Sequence, residues 1–574
     1  MTFDKRDYSV DRRLLWVSGI ALLVGVVSTL AASALLALIH FFTNVFFYQR
    51  VSFANVSPAH HALGLWVALV PASGGLLVGL IARYGSDKIR GHGIPEAMEA
   101  IVFGKSRMSP KVAVLKPLSS GIVIGSGGPF GAEGPIIMTG GSLGSLLAQY
   151  LHLTAAERKA LLVAGACAGM TAIFATPVAA VLLAVELLLF ELRPRSLLPV
   201  ALACGVAGFL RDLLFEPGPL FPLHTEPVAT AALVSCAIAG VLCGALAALL
   251  THALYKTEDF FHALPVHWMW WPAIGGLVVG IGGYLEPRAL GVGYDVIGDL
   301  LNGHLLIAVA AALLLVKAVI WVVALGSGTS GGVLAPLLML GAGLGTLLAP
   351  FLPGGSPSLW ALVCMAGLLG STLGVPLTAI IFAFGLTHDS DALLPLMLTT
   401  AVAYGVTTLT MKRSIMTEKI ARRGLHIFRE YGVDPLERQH VGDLMTPAEA
   451  VVDAATPVAD VLSRHGGHRD PHRIFPVTRE GRVVGIVDEL TLRDPPSPSL
   501  RCNDILRPLG PEHVLLPGAT ARLAAGRMAQ LDVGCLPVVS DLASMRLVGT
   551  VSLRDLLRPN RRLIEEETFR EKLR

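Results

Sequence analysis

With 574 residues, 53% hydrophobic, 15% charged and a mean hydropathy of +0.64, the chain is too apolar and too poor in charge for a soluble protein of its size, and it reads as an integral membrane protein. A formal net charge of +3 gives no reason to expect nucleic acid as a partner. Seven scattered cysteines without a CxxC pair suggest neither a zinc site nor a disulfide framework, and no metal-ligand or nucleophile constellation points to an enzyme.

Residues 1–13 form a polar leader carrying Lys5, Arg6, Arg12 and Arg13, and a membrane domain follows over 14–425. Apolar runs long enough to span a bilayer extend over Leu14–Ile39, Ala62–Ile81, Ala229–Leu254, Leu305–Leu325 and Trp360–Phe384. Basic residues before the first run and after the last (Lys412, Arg413, Lys419, Arg422, Arg423) put both ends in the cytoplasm and require an even number of crossings. The first run is too long for a signal-peptide core, so no cleaved leader is expected.

The membrane domain repeats itself. Gly131 to Leu151 lies over Gly332 to Leu352 at a constant offset, matching Pro135 with Pro336, Met138 with Met339, Gly140 with Gly341 and Gly144 with Gly345. Thr176-Pro177 likewise resembles Val375-Pro376, which gives halves of about 14–215 and 228–425 joined near Glu216–Pro227. Paired Gly/Pro helix starts of this kind suit transporters whose interrupted helices aim their N-termini at an anion near the midplane.

Gly131-Ala132-Glu133-Gly134-Pro135 is such a start, with proline in the first turn and a single carboxylate among free amides. On its own, Glu133 is either a tethered anion or a helix cap. Glu186 and Glu191 read as structural partners of Arg193, Arg195 or backbone, and Lys317 as a paired charge inside a span. The small-xxx-small patterns of Gly140, Gly144, Gly341 and Gly345 serve close helix packing.

After a linker over 426–440 the composition turns polar and strand-like. Asp443-Leu444-Met445-Thr446-Pro447 recurs as Asp504-Ile505-Leu506-Arg507-Pro508, and Phe475-Pro476-Val477 as Leu536-Pro537-Val538, so two α+β copies are expected at 441–498 and 499–558, with a charged tail over 559–574. Each copy reads as helix, strand, helix, strand, strand, helix.

Three motifs, Gly91-His92-Gly93-Ile94-Pro95, Gly131-Ala132-Glu133-Gly134-Pro135 and Gly332-Val333-Leu334-Ala335-Pro336, resemble in order and spacing those of the CLC family of chloride channels and anion/proton exchangers. The tail resembles a pair of cystathionine-β-synthase (CBS) domains. The resemblance implies an all-α polytopic membrane fold, an inverted repeat of tilted and interrupted helices, followed by α+β tandem CBS domains. It further implies a homodimer in the cell (inner) membrane, with the N-terminus and CBS domains cytoplasmic and chloride or another small anion as the transported ligand.

By the same resemblance Glu133 is the gate, and the anion is held around His92, Gly93, Ile94, Pro95, Gly131, Ala132, Gly134, Pro135, Val333, Leu334 and Met416. Physically, a carboxylate among amide donors favours its charged form, whereas a nearby anion favours its protonated form. Three departures stand out: His92 replaces the usual coordinating serine, Met416 the usual tyrosine and Leu334 the filter phenylalanine.

The inner glutamate of proton-coupled members falls on Leu187, which favours a passive, glutamate-gated channel, with voltage gating as one form of it, over the alternative, an anion/proton antiporter. An alternative of another class is a CBS-regulated cation transporter or sensor, against which stands the lack of intramembrane carboxylate clusters. In the second CBS copy Gly549-Thr550-Val551-Ser552-Leu553-Arg554-Asp555 retains an adenosine-binding pattern, making Thr550, Ser552 and Asp555 candidate nucleotide residues. The first copy, Gly485-Ile486-Val487-Asp488-Glu489-Leu490-Thr491, does not. No cofactor is required, and an adenine nucleotide at the CBS domains is the one candidate.

Overall fold

The computed structural model describes residues 12–427, 436–437, 439–447, 451–465, 474–488, 491–492, 497, 500–510, 513–531, 533–558 and 568–571. Most of the expected leader, much of the linker, most of the charged tail, and Glu489 and Leu490 lie outside these residues. The chain separates into one unit reaching to Arg429 and including Arg570–Arg574, and a second over Glu430–Phe569.

The first half of the membrane unit holds α1 (Arg13–Tyr48), α2 (Leu69–Tyr84), α3 (Ile94–Val102), α4 (Pro110–Gly125), α5 (Glu133–Gln149), α6 (Ala155–Phe174), α7 (Pro177–Leu183, continued by a π-helical stretch to Leu189) and α8 (Pro194–Leu214). The second half repeats the series as α9 (Ala232–Ala263), α10 (Trp271–Leu285), α11 (Tyr294–Leu301), α12 (Ile307–Gly326), α13 (Leu334–Leu348), α14 (Pro357–Leu373), α15 (Pro376–Thr387) and α16 (Leu393–Thr410), and α17 (Ile415–Arg422) closes it. Among the described residues, seven helices are long and apolar enough to cross a membrane.

The halves meet as equivalents. Gly131 and Gly332 pair as an antiparallel bridge, Gly332 donating its N–H to the Gly131 carbonyl at 3.0 Å. A Cβ on Gly75 would run into the Pro272 carbonyl, and one on Gly276 into that of Pro71, so α2 and α10 touch backbone to backbone in both directions. Antiparallel, reciprocal contact between matched residues is what a two-fold relation between the halves produces. The same close approach explains Gly140 and Gly144, where an added Cβ would strike the carbonyls of Gly165 and Leu161 on α6, and Gly341 and Gly345, which face those of Cys364 and Trp360 on α14.

One expected span is corrected. Trp360–Phe384 is not a single helix but most of α14 and most of α15. Gly374, at φ 73°, ends the first in the left-handed region, and Pro376 can only start the second. Composition alone hides this break, because Ser371, Thr372 and Thr378 beside it are small and uncharged and leave the run apolar on average.

The second unit comprises α18 (Val441–Leu444), β1 (Val452–Asp453), α19 (Val458–His465), β2 (Ile474–Arg479) and β3 (Arg482–Asp488), then α20 (Cys502–Ile505), β4 (Arg507–Pro508), α21 (Ala521–Leu531), β5 (Cys535–Val539) and β6 (Leu547–Ser552). One sheet runs β1-β2-β3-β4, and β5 pairs with β6. The copies exchange their leading segments. β4, from the second, joins the sheet of the first, whereas Val441 and Leu444 of α18 lie in the second copy's core with Leu515, Leu536 and Val551. Thr446 also bridges Thr550. The expected division between 498 and 499 thus separates the copies in sequence, but each core needs a segment from the other side.

Candidate functional site

Glu133 opens α5 and is fully buried. Its carboxylate crosses to the repeat-related helix start, where Oε1 accepts the N–H of Leu334 at 2.5 Å and of Ala335 at 3.1 Å. These are first-turn amides of α13, which have no carbonyl within their own helix to bond. Gly131 and Gly332 make the crossing possible, because a Cβ on either would fall on the carboxylate. The other oxygen, Oε2, is buried without a partner among the described residues.

The start of α3 closes the same space. The His92 carbonyl lies against Gly134, and Gly93, at φ 90°, has its Cα against the Gly134 carbonyl and Met138. His92 is buried, and its Nδ1 has no partner among the described residues. Gly93 gives its N–H to Glu96 Oε2 at 3.1 Å, and Pro95 and Pro135 have none to give. Of the expected anion-holding residues, these three therefore contribute shape rather than an amide donor.

Ala132 and Val333 are the buried residues preceding α5 and α13, and Ile94 is the buried first residue of α3. Met416 is fully buried in the first turn of α17, which packs on α3, and Tyr255 holds the neighbouring Ile415 carbonyl at 2.5 Å.

Two buried lysines frame these helix starts. Lys116 donates to the carbonyls of Ile89 and Gly91 at 2.8 and 2.7 Å, and Lys317 to those of Ala289 and Gly291 at 2.9 and 2.8 Å. Each ammonium pins the loop before a short helix, α3 or α11, in the same way. Sequence reading singled out Lys317 and missed Lys116; carrying Lys317 back through the repeat would have found it. Glu96 was missed too, and it meets Lys419 and Arg423 at 3.1 and 3.0 Å.

Leu187 is buried in the π-helical stretch. Its neighbour Glu186 caps α15, accepting from Leu377 N at 3.2 Å and from Thr378 N and Oγ1 at 2.7 Å each. Glu191 accepts from Ser196 at 2.6 Å and lies near Lys159 and Arg193. Both acids are therefore spent on structure.

A cavity of about 900 Å³ reaches Gly91, Glu96 and Met138. Its charged lining sets Lys88, Arg90, Arg107, Lys419, Arg422 and Arg423 against Asp87, Glu96, Glu99 and Glu258. Cations outnumber acids in this lining, a balance that attracts anions more than cations.

In the second unit Thr550 lies in β6 beside Thr446, and Asp555 is buried. Asp555 Oδ2 accepts from Ser552 N and Oγ at 2.9 and 2.6 Å, and its Oδ1 faces Arg558 at 3.0 Å. A ribose hydroxyl would have to compete with these contacts.

A family model for the voltage gated chloride channel matches residues 74–408, and one for the CBS domain matches 441–494 and 503–559. A voltage-gated ClC-type chloride channel, ClcB, of Escherichia coli is 30% identical over 421 residues, covering 70% of this chain and 97% of that protein. The H(+)/Cl(-) exchange transporter ClcA of Salmonella paratyphi A is 28% identical over 369 residues, covering 60% and 76%. Among solved structures, a eukaryotic CLC transporter shares the fold, with a TM-score of 0.62 at 18% identity over 95% of this chain and 98% of that one.

Proposed function

The chain belongs to the voltage gated chloride channel family, and from that premise we propose that it is a passive chloride pathway gated by Glu133. The observation that carries this reading is the carboxylate on the Leu334 and Ala335 amides. A tethered anion occupies donors that a free chloride would use, so the two compete for one place. Protonation of Glu133, or displacement by chloride, opens the path, and flux rises as pH falls. The ion approaches through the basic cavity and passes His92.

Passive flow is favoured by the side chains on the inner proton route. Leu187 carries no proton, and Glu186 already bonds three donors. The second reading, proton-coupled exchange, draws support from the likeness to an exchanger and from the proton chemistry of Glu133 itself. Membership of this family favours an anion path over the cation-transporting alternative.

By the positive-inside asymmetry, both the N-terminus and the CBS pair lie in the cytoplasm; membership of the family supports a homodimer in the cell membrane. An adenine nucleotide at Thr550, Ser552 and Asp555 acts only if it displaces Ser552 and Arg558 from Asp555, which makes weak binding the expectation.

Reversal potential in proteoliposomes under opposed chloride and proton gradients tests the central reading. A value at the chloride Nernst potential, indifferent to the proton gradient, is expected; a proton-dependent offset would establish exchange instead.

A further inference from the structure

The chain leaves the membrane unit after Arg429 and is back in it at Arg570. Glu571 holds it there. Its backbone pairs with Leu153 as an antiparallel bridge, donating its N–H to the Leu153 carbonyl at 3.4 Å. Its own carbonyl accepts from Arg158 Nη1 at 3.4 Å, and its Oε1 lies 3.4 Å from Arg158 Nη2 and 3.8 Å from Lys105 Nζ.

The arginine gives this contact its weight. The Arg158 side chain is 1% exposed, and among the described residues Glu571 is the acid within ion-pair reach of it. Its neighbour Glu157 is engaged by Arg13 and by the Thr154 N–H at 2.8 Å. A buried charge left without a counter-charge is strongly destabilising. The turn before α6 is thus built to receive a carboxylate from a distant part of the chain.

The place Glu571 occupies is where the far ends of two site helices meet. α3 ends at Val102 and leads into the loop carrying Lys105 and Ser106, and α5 ends at Gln149 and leads into the turn carrying Leu153. Ser145 of α5 donates its hydroxyl to the Ser106 carbonyl at 2.7 Å and accepts the Met108 N–H at 3.0 Å, while Gln149 donates to the Met108 carbonyl at 3.0 Å. Glu571 touches both connections at once. From there α5 runs unbroken back to Glu133.

We propose that Glu571 is an anchor that docks on Leu153, Arg158 and Lys105 and, by fixing the far end of α5, keeps the Glu133 carboxylate seated on the Leu334 and Ala335 amides. Hydrogen bonds weaken steeply once their geometry is lost, so a helix freed at one end holds its carboxylate less firmly at the other. Residues 430–569 lie in the chain between α17 and this anchor. A rearrangement of the CBS pair that withdraws Glu571 therefore loosens the gate. The inference rests on Glu133 being the gate and adds what holds it closed.

The contact is tested on the unaltered protein with a carbodiimide, which joins an amine to an adjacent carboxylate without a spacer. Mass spectrometry should find Lys105 joined to Glu571 within a single chain, and no product from Glu571 to the exposed Lys88 or Lys256. Absence of the Lys105 product, or a product joining two chains, would overturn the anchor. The consequence is read from chloride efflux at neutral pH for the wild type, Glu571→Lys, Glu571→Gln, Glu133→Ala and the double variant Glu133→Ala/Glu571→Lys. Setting a cation against Arg158 should raise flux about three- to tenfold, as a charge-assisted bond at the gate weakens, and Glu571→Gln should raise it less. A misfolded chain loses flux and cannot imitate that gain. In the Glu133→Ala background the second substitution changes nothing. No gain in either single variant, or a gain that persists without Glu133, would sink the proposal. If Glu133→Ala itself fails to raise flux, the gating reading fails, whereas the Lys105 product reports on the anchor independently.

Discussion

The starts of α5 and α13 are the same structure used twice, and one side chain tells them apart. Both follow a glycine, both carry proline in the first turn, and Gly131 and Gly332 bond to one another across the repeat. One presents Glu133; the other presents Leu334 and two first-turn amides that donate to that carboxylate. The repeat thus gives two helix ends of the kind that attract anions, and in the proposed function a single carboxylate makes one the gate and the other the place it guards. The surrounding frame kept its symmetry, with Lys116 and Lys317 clamping matched loops and Gly75 and Gly276 making matched contacts.

That contrast predicts large, equal effects where the halves agree and a one-sided effect where they differ. Lys116→Met and Lys317→Met each strip a buried donor from two carbonyls, a loss of about 2–5 kcal/mol. Both variants should lower the unfolding midpoint in detergent by similar amounts, and a loss in only one would break the symmetry of the frame. Glu133→Ala is next: charge-assisted amide bonds worth about 1.5–3 kcal/mol each no longer hold the site closed, so neutral-pH chloride flux should rise at least about tenfold and lose its pH dependence. Smallest is His92→Ala, which removes the buried imidazole just before α3. Chloride affinity by calorimetry should fall about two- to fourfold; an unchanged value would make His92 a bystander of the ion.

Much of this architecture was legible in the amino-acid order because Gly and Pro mark helix starts whatever surrounds them. The two halves, the three motifs and Glu133 all came from that punctuation. What stayed hidden depends on partners far away in sequence. Nothing near Glu186 says that it caps α15, and nothing near Lys116 names the Ile89 and Gly91 carbonyls. The break at Gly374 was lost inside a run that is apolar on average, and the exchange of α18 and β4 between the CBS copies depends on cores built by residues distant in sequence.

The central claim is that Glu133 stands where the anion would. A structure of the Glu133→Ala variant in bromide tests it most directly, because anomalous scattering locates the ion without reference to its coordination. The expected result is a bromide within hydrogen-bond reach of the Leu334 and Ala335 amides, in the place the carboxylate held, and absent from the wild type at high pH. Bromide found only elsewhere along the path, with those amides left to water, would contradict it.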